Sequence, residues 1–407
     1  MKSINKKLKI AFIINQFPSV SETFILNQAI GFIERGHQVH IFAKHTKNCN
    51  IVHNNFNKFS MAQRTTYLPE FSNSKKIIRI KALFKLTSTA LSNPLKAIKI
   101  AKLLLKNSRY FSYPLFYTLC NFKLNQYDFL YCHFGPNGNI GAFIKLLGDK
   151  AQLISVFPGY DLRLAEEKGG WIFEPAFENS DKLLVYSNAY RDKLLKYYNH
   201  PEKFGIIGCG LDTTRLPLPQ PKTDDAINII SVGRLVTEKA LHHSIKAFAK
   251  AAKVFPEKSL HYTIIGDGPL KSQLQQLANE LEIDKKITFA GNQDHDYVVE
   301  KLVNSDIFLF SSESEALGTV LIEAQATGLP IVSTNSEGIK ESVRDGISGF
   351  LVNSGDVEAL AEKLVFFIKN PDIRIKMGQA GKQYATENFD NQILADKLQS
   401  IFYSLIE

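Results

Sequence analysis

Between Glu70 and Asp128 the chain has no acidic residue at all. Lys75, Lys76, Arg79, Lys81, Lys85, Lys96, Lys99, Lys102, Lys106, Arg109 and Lys123 all fall in that interval, which marks one stretch of surface for an anionic partner. Cysteine is also scarce. Cys49, Cys120, Cys132 and Cys209 lack paired spacing, which excludes a disulfide framework and fits a reducing compartment. No run reaches about 18 consecutive apolar residues, so no membrane-spanning helix is expected. The basic start MKSINKKLKIAFIINQF passes directly into a strand-like run without a small-residue cleavage site, so no signal peptide is expected either. There is no GxGxxG fingerprint and no clustered ligand set for a metal, and the reading is of a protein with no cofactor and no metal.

The 407 residues, 44% hydrophobic and 22% charged, are enough for two sizeable cores. The net charge of +9 is split unevenly. Residues 1–210 carry 29 Lys+Arg against 13 Asp+Glu, a net +16, and residues 211–407 carry 20 against 27, a net −7. Lys96, Lys99, Lys102 and Lys106 recur at roughly helical spacing, with Leu95, Ile98, Leu103 and Leu105 as apolar partners. A basic amphipathic helix of this kind suits an anionic membrane surface, with the basic region 75–109 as the expected docking segment; it also reads as a solvated basic face over the first core. No nucleic-acid-binding motif accompanies the charge, so no nucleic acid is expected.

Apolar strands alternate with amphipathic helices, the pattern of parallel sheets with helical crossovers. KIAFIINQF, HQVHIFA, YDFLYCH, QLISVF, KLLVYS and FGIIG read as strands of a first doubly wound domain. Residues 44–74 read as a long polar loop, HFGPNG as a glycine-rich loop, and a helix is expected near Ile140 to Leu147. Pro217, Pro219 and Pro221 form a stiff linker. INIISVG, HYTIIG, ITFAG, DIFLF and PIVST then repeat the pattern. The expected fold is α/β, two doubly wound Rossmann-like domains facing across a cleft. Residues 1–215 would form an N-terminal Rossmann-like domain, 222–380 a C-terminal one, and 381–407 a crossover helix returning to the first domain. In such sheets ligands bind beyond the carboxyl ends of the strands.

Candidate site residues lie at those ends. SSESEALGTVLIEAQATGLPIVST runs from a strand through a polar loop into a short helix. The amides of Leu317, Gly318 and Thr319 would stand at its N-terminus, where a phosphate binds well. Glu323 lies one turn beyond Thr319 on the same face, and a carboxylate there can accept from sugar hydroxyls. Glu315 and Glu323 also read as a loop charge and a residue suited to the helix dipole. Arg234 and Lys239 follow the first strand of the second domain, either as a diphosphate clamp or as a pair of exposed cations. Gly266, Asp267, Gly268 and Pro269 form another strand-end turn. His133, Asp161 and the Ser21, Glu22, Thr23 run occupy strand ends in the first domain.

Together, GRLVTEK from Gly233 to Lys239, the GDGP turn, ESEALGTVLIEAQATGLPIVST and DGISGFLV resemble the nucleotide-binding domain of retaining family 4 glycosyltransferases with two Rossmann-like domains, of GT-B type. QFPSVSETFI, HFGPNG, GYDL and GCGLD resemble the branch with colanic-acid and other exopolysaccharide transferases. The resemblance covers nearly the whole chain. It implies that Arg234 and Lys239 hold the donor diphosphate, the amides of Leu317 to Thr319 complete that site, Glu323 binds the ribose and Glu315 contacts the donor sugar. It also implies a nucleotide-sugar donor, a saccharide or lipid-linked saccharide acceptor, and a cytoplasmic enzyme peripheral on the inner face of the cell membrane.

The chain departs from the family pattern at three positions. Ala240 and Ala316 replace a common Gly after the lysine and a Gly or Pro after the first Glu. Pro158 stands where many relatives have a His near the donor sugar and acceptor. Either His133 or Asp161 serves in its place, or the acceptor chemistry differs, or activity is reduced; the expected catalytic set is Glu315, His133 and Asp161. The alternatives are a sugar-nucleotide epimerase of the same architecture and a non-catalytic partner of a transferase.

Overall fold

The computed structural model describes residues 6–19, 23–45, 54–68, 75–213, 216 and 226–407. The chain divides into two compact units. One comprises residues 1–186, 190–207 and 395–407, and the other residues 187–189 and 208–394.

The first unit holds seven strands: β1 Lys9–Phe17, β2 Gln38–His45, β3 Thr65–Leu68, β4 Phe129–His133, β5 Gln152–Phe157, β6 Lys182–Val185 and β7 Phe204–Ile206. They form one parallel sheet in the order β3-β2-β1-β4-β5-β6-β7. The strand order reverses direction between β1 and β4, which opens the crevice of a doubly wound sheet at the end of β4, where His133 sits. β4 is buried along its whole length and β5 from Leu153 onward, so they read as apolar runs rather than alternating ones. Phe12, Phe129, Tyr131, Phe143 and Phe157 are fully buried, each side chain contributing about 1.5–3 kcal/mol.

Two expectations for this unit are corrected. The interval 44–74 is not simply a loop, since it contains the helix Asn54–Lys58 and the edge strand β3, paired in register from Ile41 with Thr65 to Lys44 with Leu68. TTYL is short and only half-buried, so it lacks the apolar signature of the central strands. Residues 46–53 and 69–74 lie outside the described residues. HFGPNG is likewise helical, because the helix Gly135–Leu146 begins inside it. Its glycines are there for close packing. A Cβ at Gly135 would fall 2.5 Å from the Phe173 ring, and one at Gly138 would fall 2.7 Å from Ser155 Oγ.

The second unit holds β8 Ile227–Val232, β9 Leu260–Ile265, β10 Ile287–Gly291, β11 Ile307–Phe310, β12 Ile331–Thr334 and β13 Gly349–Val352. This sheet is parallel too, in the order β10-β9-β8-β11-β12-β13, with its switch point between β8 and β11. Two apolar layers cover it. One centres on Phe248, Tyr262 and Phe367, the other on Phe308, Phe310 and Leu321.

The helix Asn391–Ser404 starts in the second unit, and from Ala395 onward it belongs to the first. There the Phe402 ring packs 4.5 Å from Phe129 and 4.8 Å from Phe32, and the Arg35 guanidinium bonds Asp396 at 2.6 Å. Three aromatic rings anchor this return, with the Arg35 pair at the rim.

Candidate donor-binding and acceptor-side residues

Two turns meet beside the switch point of the second sheet, at the ends of the neighbouring strands β8 and β9. After β8 the chain turns at Gly233, and after β9 at Gly266. A Cβ at Gly266 would fall 1.9 Å from the Gly233 carbonyl oxygen, and one at Gly268 would fall 2.4 Å from that of Leu235. Both glycines of the GDGP turn are therefore required by backbone crowding. The Gly233 amide donates to Ile265 O and the Leu235 amide to Asp267 O, each at 2.9 Å, which fixes the turn that carries Arg234. The Arg234 side chain is exposed and makes no ion pair or side-chain hydrogen bond among the described residues.

Lys239 closes the short helix Thr237–Lys239, and Ala240 follows with φ of 45° in the left-handed region. That conformation explains why glycine is common after the lysine in the family it resembles, since a Cβ there costs about 1–2 kcal/mol. The loop after β11 is fastened to this turn. Ser311 Oγ donates to Ala240 O at 2.8 Å and accepts from Ser244 Oγ at 2.7 Å; Ser312 Oγ and the Glu313 amide both donate to Glu238 O. Thr334 Oγ1 on β12 donates to Ser312 O at 2.6 Å. These bonds bring Glu315 to Lys239, and the two form a largely buried ion pair whose ammonium lies 5.3 Å from the Phe310 ring centre. The Ser311, Ser312 and Thr334 fasteners were not among the residues expected from sequence, because serine in a polar loop carries no distinguishing signal.

Gly318, with φ of 71°, caps the helix Thr319–Ala326 without any side-chain bond. The amides of Leu317, Gly318 and Thr319 donate to no group among the described residues, so they present the partial positive end of an eight-residue helix. The loop leading to them is clamped by Gly338, where a Cβ would fall 2.3 Å from Glu315 O. One turn in, the half-buried Glu323 carboxyl has no hydrogen-bond partner among the described residues, and burial pushes it up to about 7. The buried Cys209 thiol lies close enough to be raised to about 12 by burial and by the Glu323 charge. Lys239, Glu315, the three amides and Glu323 thus follow β11 in sequence or are fastened to that segment, and Arg234 projects from the neighbouring β8 turn.

In the first unit His133 ends β4 and is fully buried, with both ring nitrogens unpartnered. Its ring lies parallel to Phe12 at 6.0 Å, with Tyr131 at 4.7 Å and Phe24 at 5.8 Å. Burial pushes its pKa down to about 3, so the ring is neutral at ordinary pH. Asp161 is also fully buried. Its Oδ1 accepts from the Gly135 amide at 2.8 Å, while Oδ2 has no partner, and burial pushes the carboxyl up to about 7. Pro158 lies just before Gly159 and the helix Tyr160–Lys168, and the turn is held by Tyr190, whose hydroxyl donates to Gly159 O and accepts from the Leu162 amide, both at 2.7 Å. Tyr190 was not expected, since it reads as one more apolar position of an amphipathic helix. Ser21 and Glu22 lie outside the described residues, and Thr23 opens the helix Thr23–Glu34. Among the described residues no group of three or more His, Cys, Asp or Glu is placed to hold a metal ion.

Residues 213–384 match the family model described as glycosyl transferases group 1. A colanic acid biosynthesis glycosyltransferase of Escherichia coli, WcaL, is 27% identical over 98% of this chain and 100% of its own. The amylovoran biosynthesis glycosyltransferase AmsK of Erwinia amylovora is 28% identical over 92% of each. Among solved structures, HepE of Anabaena in complex with UDP superposes with a TM-score of 0.70 at 17% identity, covering 98% of this chain and 100% of that one. The lipopolysaccharide outer core galactosyltransferase WaaB gives 0.68 at 18% identity, covering 98% and 99%. These neighbours share the two-Rossmann GT-B fold seen here. Residues 213–384 therefore carry a glycosyl transferases group 1 domain, and the chain as a whole has this fold and is similar to glycosyltransferases of exopolysaccharide and lipopolysaccharide biosynthesis.

Proposed function

We propose that the protein transfers a sugar, with retention of anomeric configuration, from a nucleoside diphosphate donor to a growing lipid-linked saccharide at the inner face of the cell membrane. The observation that carries the donor assignment is the set of three unpaired amides at the N-terminus of Thr319–Ala326, beside the Lys239–Glu315 ion pair. Breaking the bond between sugar and diphosphate leaves negative charge on the β-phosphate, and fixed cations with helix amides stabilise it. In this reading Arg234 and Lys239 hold the diphosphate with the amides of Leu317, Gly318 and Thr319. Glu323 accepts from the ribose hydroxyls. Glu315, released from Lys239 when the phosphates take the ammonium, contacts the donor sugar. The solved complexes of HepE with UDP and UDP-glucose support a nucleotide-sugar donor of this class.

Pro158 has no side-chain donor or acceptor, so we assign the acceptor side to His133 and Asp161. Their unpartnered atoms are buried hydrogen-bonding groups at the carboxyl ends of β4 and β5. Both are fully covered, so contact with an acceptor requires the chain over them to open. The basic region 75–109 would face the anionic membrane surface that carries the acceptor. None of the helices among the described residues is long and apolar enough to cross a membrane, which suits a peripheral enzyme.

The test is turnover on a panel of nucleotide sugars with a lipid extract as acceptor, with the anomeric configuration of the product read by NMR. Arg234→Ala is expected to lower turnover by about 10²-fold, the effect of losing one leaving-group stabiliser. Turnover near that of the wild type would refute the diphosphate assignment.

A further inference from the structure

Half of the exposed large apolar side chains among the described residues fall between Ile77 and Phe111, on the same segment that lacks acidic residues. The helices Lys75–Ser92 and Pro94–Lys106 pack against each other and seat their inner faces on the first core through Ala82, Leu86, Ile100 and Leu104. Their outer faces are not polar. Ile80, Phe84 and Leu91 follow one another at helical spacing on the first, and Leu95, Ile98 and Leu105 do so on the second. Phe84 is 71% exposed, Leu91 87% and Leu105 79%. Lys99, Lys102 and Lys106 are exposed on the Leu95 face, and Lys81 is exposed on the first helix. Lys96 is not part of this surface, contrary to the expectation from spacing. Its ammonium turns inward and donates to Cys120 O at 3.0 Å and Phe122 O at 2.6 Å, where it caps the end of Tyr113–Asn121.

We propose that this two-helix face inserts its apolar side chains into one leaflet of an anionic bilayer while the lysines engage the headgroups. The inference rests on the reading of the enzyme as peripheral, and it adds hydrophobic insertion to simple electrostatic adsorption. Three features point to lipid rather than protein as the occupant. The apolar and cationic side chains alternate on one face, as in helices that lie in the membrane interface. No carboxylate in residues 71–127 opposes an anionic surface. A purely electrostatic contact would not require Phe84, Leu91 and Leu105 to stand in water.

The test uses the full chain with vesicles of phosphatidylglycerol and, separately, of phosphatidylcholine, by sedimentation at low salt and at 0.5 M salt. The single tryptophan, Trp171, lies 5.6 Å from the Arg109 guanidinium, just beyond the end of Pro94–Lys106, and supplies a fluorescence signal. Wild type is expected to bind phosphatidylglycerol vesicles, to retain part of that binding at 0.5 M salt, and to bind phosphatidylcholine more weakly. Phe84→Ser/Leu91→Ser/Leu95→Ser changes only exposed side chains and is expected to lower partitioning by about tenfold or more and to abolish the salt-resistant fraction. Lys99→Glu/Lys102→Glu is expected to remove the preference for the anionic lipid. Binding that disappears entirely at 0.5 M salt, or a serine variant that partitions like wild type, would overturn insertion. A wild-type dimer that the serine variant converts to monomer, with vesicle binding unchanged, would assign the face to self-association and overturn it as well. UDP and GDP binding is measured on the same samples. Nucleotide binding without vesicle binding rejects this surface alone, and vesicle binding without nucleotide binding rejects the donor site alone.

Discussion

Glu323→Gln separates the stability of the fold from recognition of the donor. The Glu323 carboxyl titrates near 7, against an ordinary value of 4.5, because burial disfavours its charge. Between pH 4.5 and 7 the unfolded chain releases this proton while the folded protein keeps it. Stability therefore falls as pH rises through that window, and the loss is complete above 7. The difference between the two values, at 1.36 kcal/mol per pKa unit, sets a ceiling of about 3 kcal/mol. The side chain still reaches solvent, which reduces the expected effect to about 1–2 kcal/mol. Glutamine has nearly the same shape and no charge. Urea unfolding of Glu323→Gln should therefore show it more stable than wild type by about 1–2 kcal/mol at pH 8 and equal to it at pH 5. Nucleotide binding should move in the opposite direction. A carboxylate accepting from two ribose hydroxyls makes charge-assisted bonds, so the variant should bind nucleoside diphosphate about tenfold or more weakly at pH 8. Wild-type affinity should decline as pH falls through 7, and the variant should show no such decline. A stability difference that is the same at pH 5 and pH 8, or unchanged nucleotide affinity, would refute the reasoning.

Lys96→Ala removes two bonds to the carbonyls of Cys120 and Phe122 and should destabilise the protein by about 1–2 kcal/mol in urea unfolding, with vesicle partitioning unchanged. Ala240→Val places a β-branched residue at a buried position with φ of 45°, and the urea midpoint should fall by the equivalent of about 2 kcal/mol or more; Ala240→Gly should be neutral or slightly stabilising. His133 titrates near 3 when folded against 6.5 ordinarily, so its contribution to stability is full above pH 6.5 and is lost as pH falls toward 3. His133→Phe should therefore flatten the acid limb of a stability profile measured between pH 7 and 4.

Much of the architecture was legible because parallel strands buried on both faces, such as FLYCH and QLISVF, are apolar along their length, and the amphipathic helices between them have a different period. β3 escaped because an edge strand with one partner does not need that composition. HFGPNG misled for a related reason. Glycine marks a turn in a sequence, but at Gly135 and Gly138 it marks a helix pressed against Phe173 and Ser155, and nothing local separates the two uses.

The sequence by itself determined which residue types stand at the strand ends and in what order. Arg234, Lys239, Glu315, the Leu317–Thr319 amides and Glu323 follow from local period, from turn chemistry and from motif. Tertiary structure decided what each of them meets. It fastened Ser311 and Ser312 to the Glu238–Ala240 turn and so paired Lys239 with Glu315, which stand 76 residues apart. It turned Lys96 into the protein while leaving Lys99 and Lys102 in solvent, although all three share one spacing. The reason is that periodicity specifies a face of a helix, whereas the partner of that face, whether core, carbonyl or water, depends on chain that arrives from far along the sequence.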